Sequence, residues 1–179
     1  MANGSGGSAG WRAFGVLVVR MGHGEEHDEP MVSELFNDLK KYEAALRRRT
    51  NVTGATSLLG LKLESLEMGH VVFGMRVKPR HKQLHGVVHG GVLATLADTV
   101  AAIAAYTTVP KGTEIATVEL KINFLEAVPG GRIKAVGRVL RTGRNFVVTE
   151  CEIYKEDGTL AAKALLTFGA ARGHSISPQ

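Results

Sequence analysis

From residue 33 onward the chain switches between two rhythms of apolar and polar positions, and the switches mark its elements. Ser33 is placed to cap a helix from Glu34 to about Arg49, with Leu35, Phe36, Leu39, Tyr42 and Leu46 at helical spacing. Leu59, Leu61 and Leu63 then alternate with Gly60, Lys62 and Glu64, which predicts a strand. Met68-Gly69 reads as a turn, and His70 to Lys78 as a second strand stopped by Pro79. A loop from Arg80 to His89 leads into an apolar run, Gly90 to about Tyr106, that predicts a long helix; Pro110-Lys111-Gly112 breaks the chain after it. Four strands follow: Glu114 to Leu125, Arg132 to Arg141, Phe146 to Tyr154 and Leu160 to Gly169. Turn residues join them at Pro129-Gly130-Gly131, Thr142-Gly143-Arg144-Asn145 and Glu156-Asp157-Gly158. Helix, two strands, one long apolar helix and four strands predict an α+β domain, an antiparallel sheet wrapped around a central helix.

That helix carries the candidate chemistry. His89 stands at its mouth, Gly90-Gly91 open it, and a lone acid, Asp98, sits among Leu93, Leu96, Ala97, Val100 and Ala101. An acid in such company is costly unless it is paired or put to use. Unbonded N–H groups at the helix start can polarise a carbonyl oxygen. A carboxylate can attack the carbonyl carbon or activate water. Gly90 and Asp98 lie about 12 Å apart along the axis and about 80° apart around it, too far for one reacting carbon to meet both. Two antiparallel copies across a two-fold axis remove the difficulty, with Gly90 from one subunit and Asp98 from its partner.

Bulk properties narrow the alternatives. The 179 residues suit one domain, with 44% hydrophobic and 22% charged residues. No apolar run is long enough for a membrane span. The net charge of +5 favours anionic small molecules but lacks the basic stripe with aromatics that would predict nucleic-acid binding. The one basic run, Arg47-Arg48-Arg49, ends the first predicted helix, where cations suit the dipole. One cysteine, Cys151, precludes an intrachain disulfide and fits a reducing, cytoplasmic setting; strand parity places it on the apolar face with Val147 and Ile153, as a buried inert thiol. His81, His85 and His89 recur every four residues, but Pro79, Gly86 and Gly90 oppose a helix there, so no metal site is expected. The one Gly-x-Ser-x-Gly match, Gly6 to Gly10, lies in the Gly/Ser-rich start and not between a strand and a helix, so no serine-nucleophile elbow is expected, and no glycine-rich phosphate loop occurs.

The ends read poorly as structure. Residues 1–30 are expected to be a disordered or non-native extension, rich in Gly and Ser and then in charge. Residues 31–57 read as the first helix and a linker, 58–170 as the main domain and 171–179 as a flexible tail.

Order and motif together resemble the hotdog-fold acyl-CoA thioesterases, in particular the phenylacetic-acid-degradation type and its 4-hydroxybenzoyl-CoA thioesterase relatives. The resemblance spans about Leu58 to Ala170. Its motif is Gln83, Gly86, His89-Gly90-Gly91, then an acid nine residues after the histidine, with the apolar helix and four strands around it.

The resemblance implies a hotdog fold and an acyl-CoA thioesterase that releases free acid and CoA. Asp98 resembles the catalytic carboxylate, acting as nucleophile or as general base for water. The Gly90 N–H resembles the oxyanion donor. Gln83 occupies the place of an Asn or Gln near the acyl carbonyl, His89 resembles a positioning histidine, and Thr117 matches a Ser/Thr that can orient water. Some relatives carry a Thr one turn past the acid; here that place is Ala102. The loop Arg141-Thr142-Gly143-Arg144-Asn145-Phe146 matches the segment that borders the CoA nucleotide, and its two arginines can pair phosphate oxygens. No metal or redox cofactor is implied, coenzyme A being part of the substrate. The partners implied are acyl-CoA and further copies of the chain, a tetramer of two hotdog dimers, with neither nucleic acid nor membrane. Aromatic, medium-chain and long-chain acyl groups stay open. Two other readings stand beside this one. A hotdog dehydratase is disfavoured because Gly-Gly replaces the aromatic and proline of its motif. A non-catalytic acyl-CoA binding or sensing protein would keep the pocket without turnover.

Overall fold

A computed structural model describes residues 39–44, 47, 54–110 and 113–172. Residues 39–44 and 47 are helical. Ser33, the start of the first predicted helix, the extension expected over residues 1–30 and the end of the tail lie outside the described residues. Arg47 pairs with Glu43 at 2.7 Å and donates from Nη1 to the Leu63 carbonyl at 2.8 Å, so this basic residue ties its helix to the sheet.

A short helix α1, Gly54–Leu59, comes next. No strand starts at Leu59, where the alternation predicts one. Leu59 ends α1, Gly60 turns the chain at φ 69°, in the left-handed region that glycine tolerates, and β1 runs Leu61–Glu67. β2, His70–Arg76, stops two residues short of the prediction. The Val77 N–H has left the ladder for the Gly131 carbonyl, and Pro79–His81 forms a 3-10 turn. The central helix α2 spans Gly90–Tyr106, as predicted. β3 is Thr113–Phe124, β4 Arg132–Thr142, β5 Phe146–Lys155 and β6 Leu160–Arg172. The tail predicted from Ala171 begins later, because Ala171 and Arg172 still pair with Glu114 and Thr113.

All six strands form one antiparallel, curved sheet in the order β1-β2-β4-β5-β6-β3. It is the hotdog arrangement, with α2 against one face. Alternation decides which side chains meet the helix. On β5, Val147, Thr149, Cys151 and Ile153 are buried while the residues between them are not. The helix presents Leu93, Leu96, Ala97, Val100, Ala101, Ala104 and Ala105 to Phe73, Met75, Ile133, Leu166 and Phe168. Its alanines permit close approach. At Gly137 on β4 a Cβ would lie 2.9 Å from the Val100 carbonyl oxygen, so only glycine fits under the helix.

Two features of β3 bear on function. It is an edge strand, twelve residues long, whose outer edge has no partner among the described residues. It also carries a bulge. Thr117 pairs with Phe168 and Glu119 with Thr167, which leaves Val118 out of register. Among the described residues no helix is long and apolar enough to cross a membrane.

Candidate active site

The loop before α2 is built to present its start. The Lys78 N–H bonds His81 Nδ1 at 3.1 Å, and the His81 ring is 1% exposed. Burial, aided by Arg80 and Lys78, holds the His81 pKa below its usual range, so the ring is neutral at pH 7. The His81 carbonyl accepts the His89 N–H at 2.8 Å, and Lys82 bridges to Val88. Between them Gln83 anchors a turn: its N–H donates to Val87 O at 2.9 Å and its carbonyl accepts from Gly86 N–H at 3.0 Å. Gly86 sits at φ 79°, and the Gln83 side chain is exposed.

His89 is the N-cap of α2. Its Nδ1 accepts the Gly91 N–H at 2.8 Å, and its carbonyl accepts from Val92 and Leu93. A Cβ on Gly91 would lie 3.0 Å from that nitrogen, so the second glycine makes room for the cap. The Gly90 N–H is left without an acceptor among the described residues, at the positive end of a seventeen-residue helix.

Asp98 lies on the same unbroken helix, half-buried. Its Oδ1 accepts from Thr117 Oγ1 at 2.8 Å, and it has no cationic partner among the described residues. Thr117 is on β3, nineteen positions further along. The two candidates that the sequence could not join are therefore brought together, with one carboxylate oxygen left unbonded among the described residues. Gly90 and Asp98 stay about 12 Å apart along the helix.

The Arg141–Phe146 segment is the β4–β5 hairpin. The Gly143 N–H closes it onto Phe146 O at 2.8 Å, and Asn145 O accepts from Ala170 N–H at 2.8 Å. Thr142 Oγ1 lies 2.8 Å from Thr108 Oγ1, just past the C-terminal end of α2. Arg141 and Arg144 are exposed, with no ion pair among the described residues. The hairpin thus stands about 25 Å, one helix length, from its own Gly90.

Cys151 is fully buried, and burial, with Glu152 beside it, pushes its thiol up to about 12, so it is no nucleophile. Among the described residues no three His, Cys, Asp or Glu side chains gather as metal ligands; His81 is buried in its turn, His85 is exposed and His89 caps the helix. One residue at the helix mouth escaped the sequence reading. Phe124, the last residue of β3, sets the tip of its ring against Gly90, where a Cβ would come 3.1 Å from Cζ. Its only signal was an aromatic at a strand end.

The chain is similar to known proteins. Residues 85–162 match the family described as the thioesterase superfamily. A protein of Saccharolobus solfataricus, to which an esterase activity is ascribed, is 38% identical over 107 residues, 60% of this chain and 76% of that protein. The 1,4-dihydroxy-2-naphthoyl-CoA hydrolase of Escherichia coli is 27% identical over 120 residues, 65% of this chain and 88% of the hydrolase. A crystallised thioesterase of Haemophilus influenzae superposes with a TM-score of 0.69 at 26% identity, over 74% of this chain and 92% of that one.

Proposed function

The chain belongs to the thioesterase superfamily and is a thioester hydrolase, and from that premise we propose that it cleaves acyl-CoA to a free carboxylic acid and CoA at a site shared by two copies. The carbonyl oxygen accepts from Gly90 N–H of one copy, while Asp98 of the other faces the carbonyl carbon. As general base, Asp98 takes a proton from water as the oxygen adds to carbon; the C–S bond then breaks and the proton passes to the CoA sulfur. As nucleophile, Asp98 displaces the CoA thiolate to form a mixed anhydride, which water opens to the free acid and the regenerated carboxylate, the released proton going to the CoA sulfur. Thr117 fixes one carboxylate oxygen and leaves the other for this work. His89 holds the helix mouth open by capping Gly91 rather than Gly90. Gln83, exposed on its turn, faces the acyl carbonyl.

The observation that carries the reading is a Gly90 amide that has no acceptor among the described residues, on the same helix as a carboxylate whose one partner among them is a hydroxyl. The edge of β3, without a partner among the described residues, gives a second copy its place, a strand-to-strand contact that sets the two α2 helices antiparallel. The hairpin with Arg141 and Arg144 then approaches the partner's Gly90 and offers its guanidinium groups to the CoA phosphates. The proposed assembly is a tetramer of two such dimers, acting in the cytoplasm, where the free Cys151 stays reduced.

The test is thiol release from a panel of acyl-CoAs, with Asp98→Asn in parallel. Gly90→Pro removes the N–H at a position where proline suits a helix. Each variant alone should be inactive. Mixed, unfolded and refolded together, they should regain about a quarter of wild-type activity, since half the dimers are mixed and each has one intact site. Full activity in Asp98→Asn refutes the role of the carboxylate; no regain on mixing refutes the shared site.

A further inference from the structure

Gly90 has a neighbour that its role as a donor does not require. An ideal Cβ on Gly90 would meet Phe124 Cζ at 3.1 Å, Cε2 at 3.4 Å and Cε1 at 3.5 Å. These three atoms are the far end of the ring, so the ring tip fills the notch that the missing side chain leaves. Phe124 is nevertheless 54% exposed. A large aromatic surface thus stands open beside the one amide of the first turn that lacks an acceptor among the described residues.

The strand aims the ring there. Phe124 pairs with Ala162, Ile122 with Ala164 and Leu120 with Leu166, and all three partners are buried on the helix side of the sheet. Leu125 N–H then bonds Ala161 O and fixes the end of the strand. The ring tip packs on the same residue whose N–H would hold the carbonyl oxygen, which puts the ring beside the place where an acyl group would bind. Flat apolar carbon gains from an aromatic face; a tetrahedral carbon carrying two branches cannot lie flush against it.

We propose that Phe124 determines acyl specificity by forming a flat wall against the carbon bonded to the thioester carbonyl, favouring aroyl-CoA over α-branched acyl-CoA. The proposal rests on the thioesterase reading of Gly90. The first glycine of the pair then serves twice, as the donor and as the gap that lets the ring sit flush with it.

The test measures kcat/KM for benzoyl-CoA, hexanoyl-CoA and 2-methylpropanoyl-CoA on wild type, Phe124→Ala, Phe124→Leu, Gly90→Ala and Asp98→Asn. Wild type should favour benzoyl-CoA over the branched ester, and Phe124→Ala should cut that ratio about tenfold. Phe124→Leu keeps apolar bulk without flatness and should fall between. Gly90→Ala keeps the N–H but pushes the ring aside by a few tenths of an ångström, and should move the ratio in the same direction. A ratio within about twofold of wild type in the Phe124 variants, or a wild type that prefers the branched ester, overturns the proposal. Should Phe124→Ala fail to fold, Phe124→Leu and Gly90→Ala decide. If Asp98→Asn is dead while the ratios stand still, only this proposal falls; if Asp98→Asn turns over, or wild type hydrolyses no ester, the thioesterase reading of the site falls with it.

Discussion

Two polar clusters lie on opposite faces of the same sheet and are built in opposite ways. On the outer face, Glu152 accepts from Arg138 at 2.8 Å, from Tyr154 at 2.8 Å and from Lys163 at 2.9 Å. Glu150 pairs with Lys163 at 3.0 Å and with Arg138 at 3.8 Å. Each of these four charges has an opposite. On the helix face, Asp98 has one hydroxyl and no cation, and the Gly90 amide has no acceptor among the described residues. Burial by itself raises the Glu152 pKa, but the hydrogen bonds from Lys163, Arg138 and Tyr154 outweigh it and bring the pKa to about 2. A closed network holds strands together; bonding capacity left open beside the core is what a substrate can complete.

The contrast breaks most visibly through turnover. Asp98→Asn should lower kcat by about 10²–10⁴-fold and leave the melting temperature nearly unchanged, as thiol release and thermal denaturation would show. Thr117→Val should cost about tenfold in kcat, and Thr117→Ser should restore most of it, because the hydroxyl rather than the methyl holds Asp98. Glu152→Gln should do the reverse: normal kcat, with stability lower by about 1–2 kcal/mol in urea titrations, a figure reduced by solvent screening of the half-exposed Arg138 and Lys163.

The pH dependence sharpens the same point. A carboxyl whose pKa falls on folding stabilises the native state above its unfolded value and loses that contribution as pH drops through the folded one. Glu152, at about 2 against the ordinary 4.5, should therefore make wild type lose stability between pH 4.5 and 2, and Glu152→Gln should flatten that part of the curve. The smallest expected effect is none at all. Cys151, buried and raised to about 12, should resist iodoacetamide in the native protein at pH 8 and react only after denaturation, by mass spectrometry.

Much of this was legible in the sequence because it is local. α2 and the four strands after it show in spacing and turn residues, and their ends differ by at most one position apart from β6, which pairing with β3 extends. The short helix α1 was missed because Leu59, Leu61 and Leu63 alternate like a strand across Gly60, whose left-handed backbone no alternation reveals. Strand order was out of reach. β3 follows α2 directly yet lies beside β6, a pairing settled by the whole sheet rather than by either segment. The candidate residues on and before α2 stood out as a compact motif, whereas the contacts of Thr117 with Asp98 and of Phe124 with Gly90 join segments nineteen and thirty-four positions apart. Type and position did not disclose that β3 serves both ends of the site.

It does so through its bulge. Thr117 is at an odd position and Leu120, Ile122 and Phe124 are at even ones, yet all four face the helix, because Val118 steps out of the ladder and lies over Gly169 on the other face. The strand keeps count in a spatial reading frame, and Val118 is the letter that shifts it. A deletion of that single residue would be a frameshift in three dimensions: the composition would hardly change, but either the hydroxyl at Asp98 or the ring at Gly90 would be turned to the opposite side of the sheet. An insertion or deletion between Thr117 and Phe124 should for that reason be far less tolerated than almost any substitution within it.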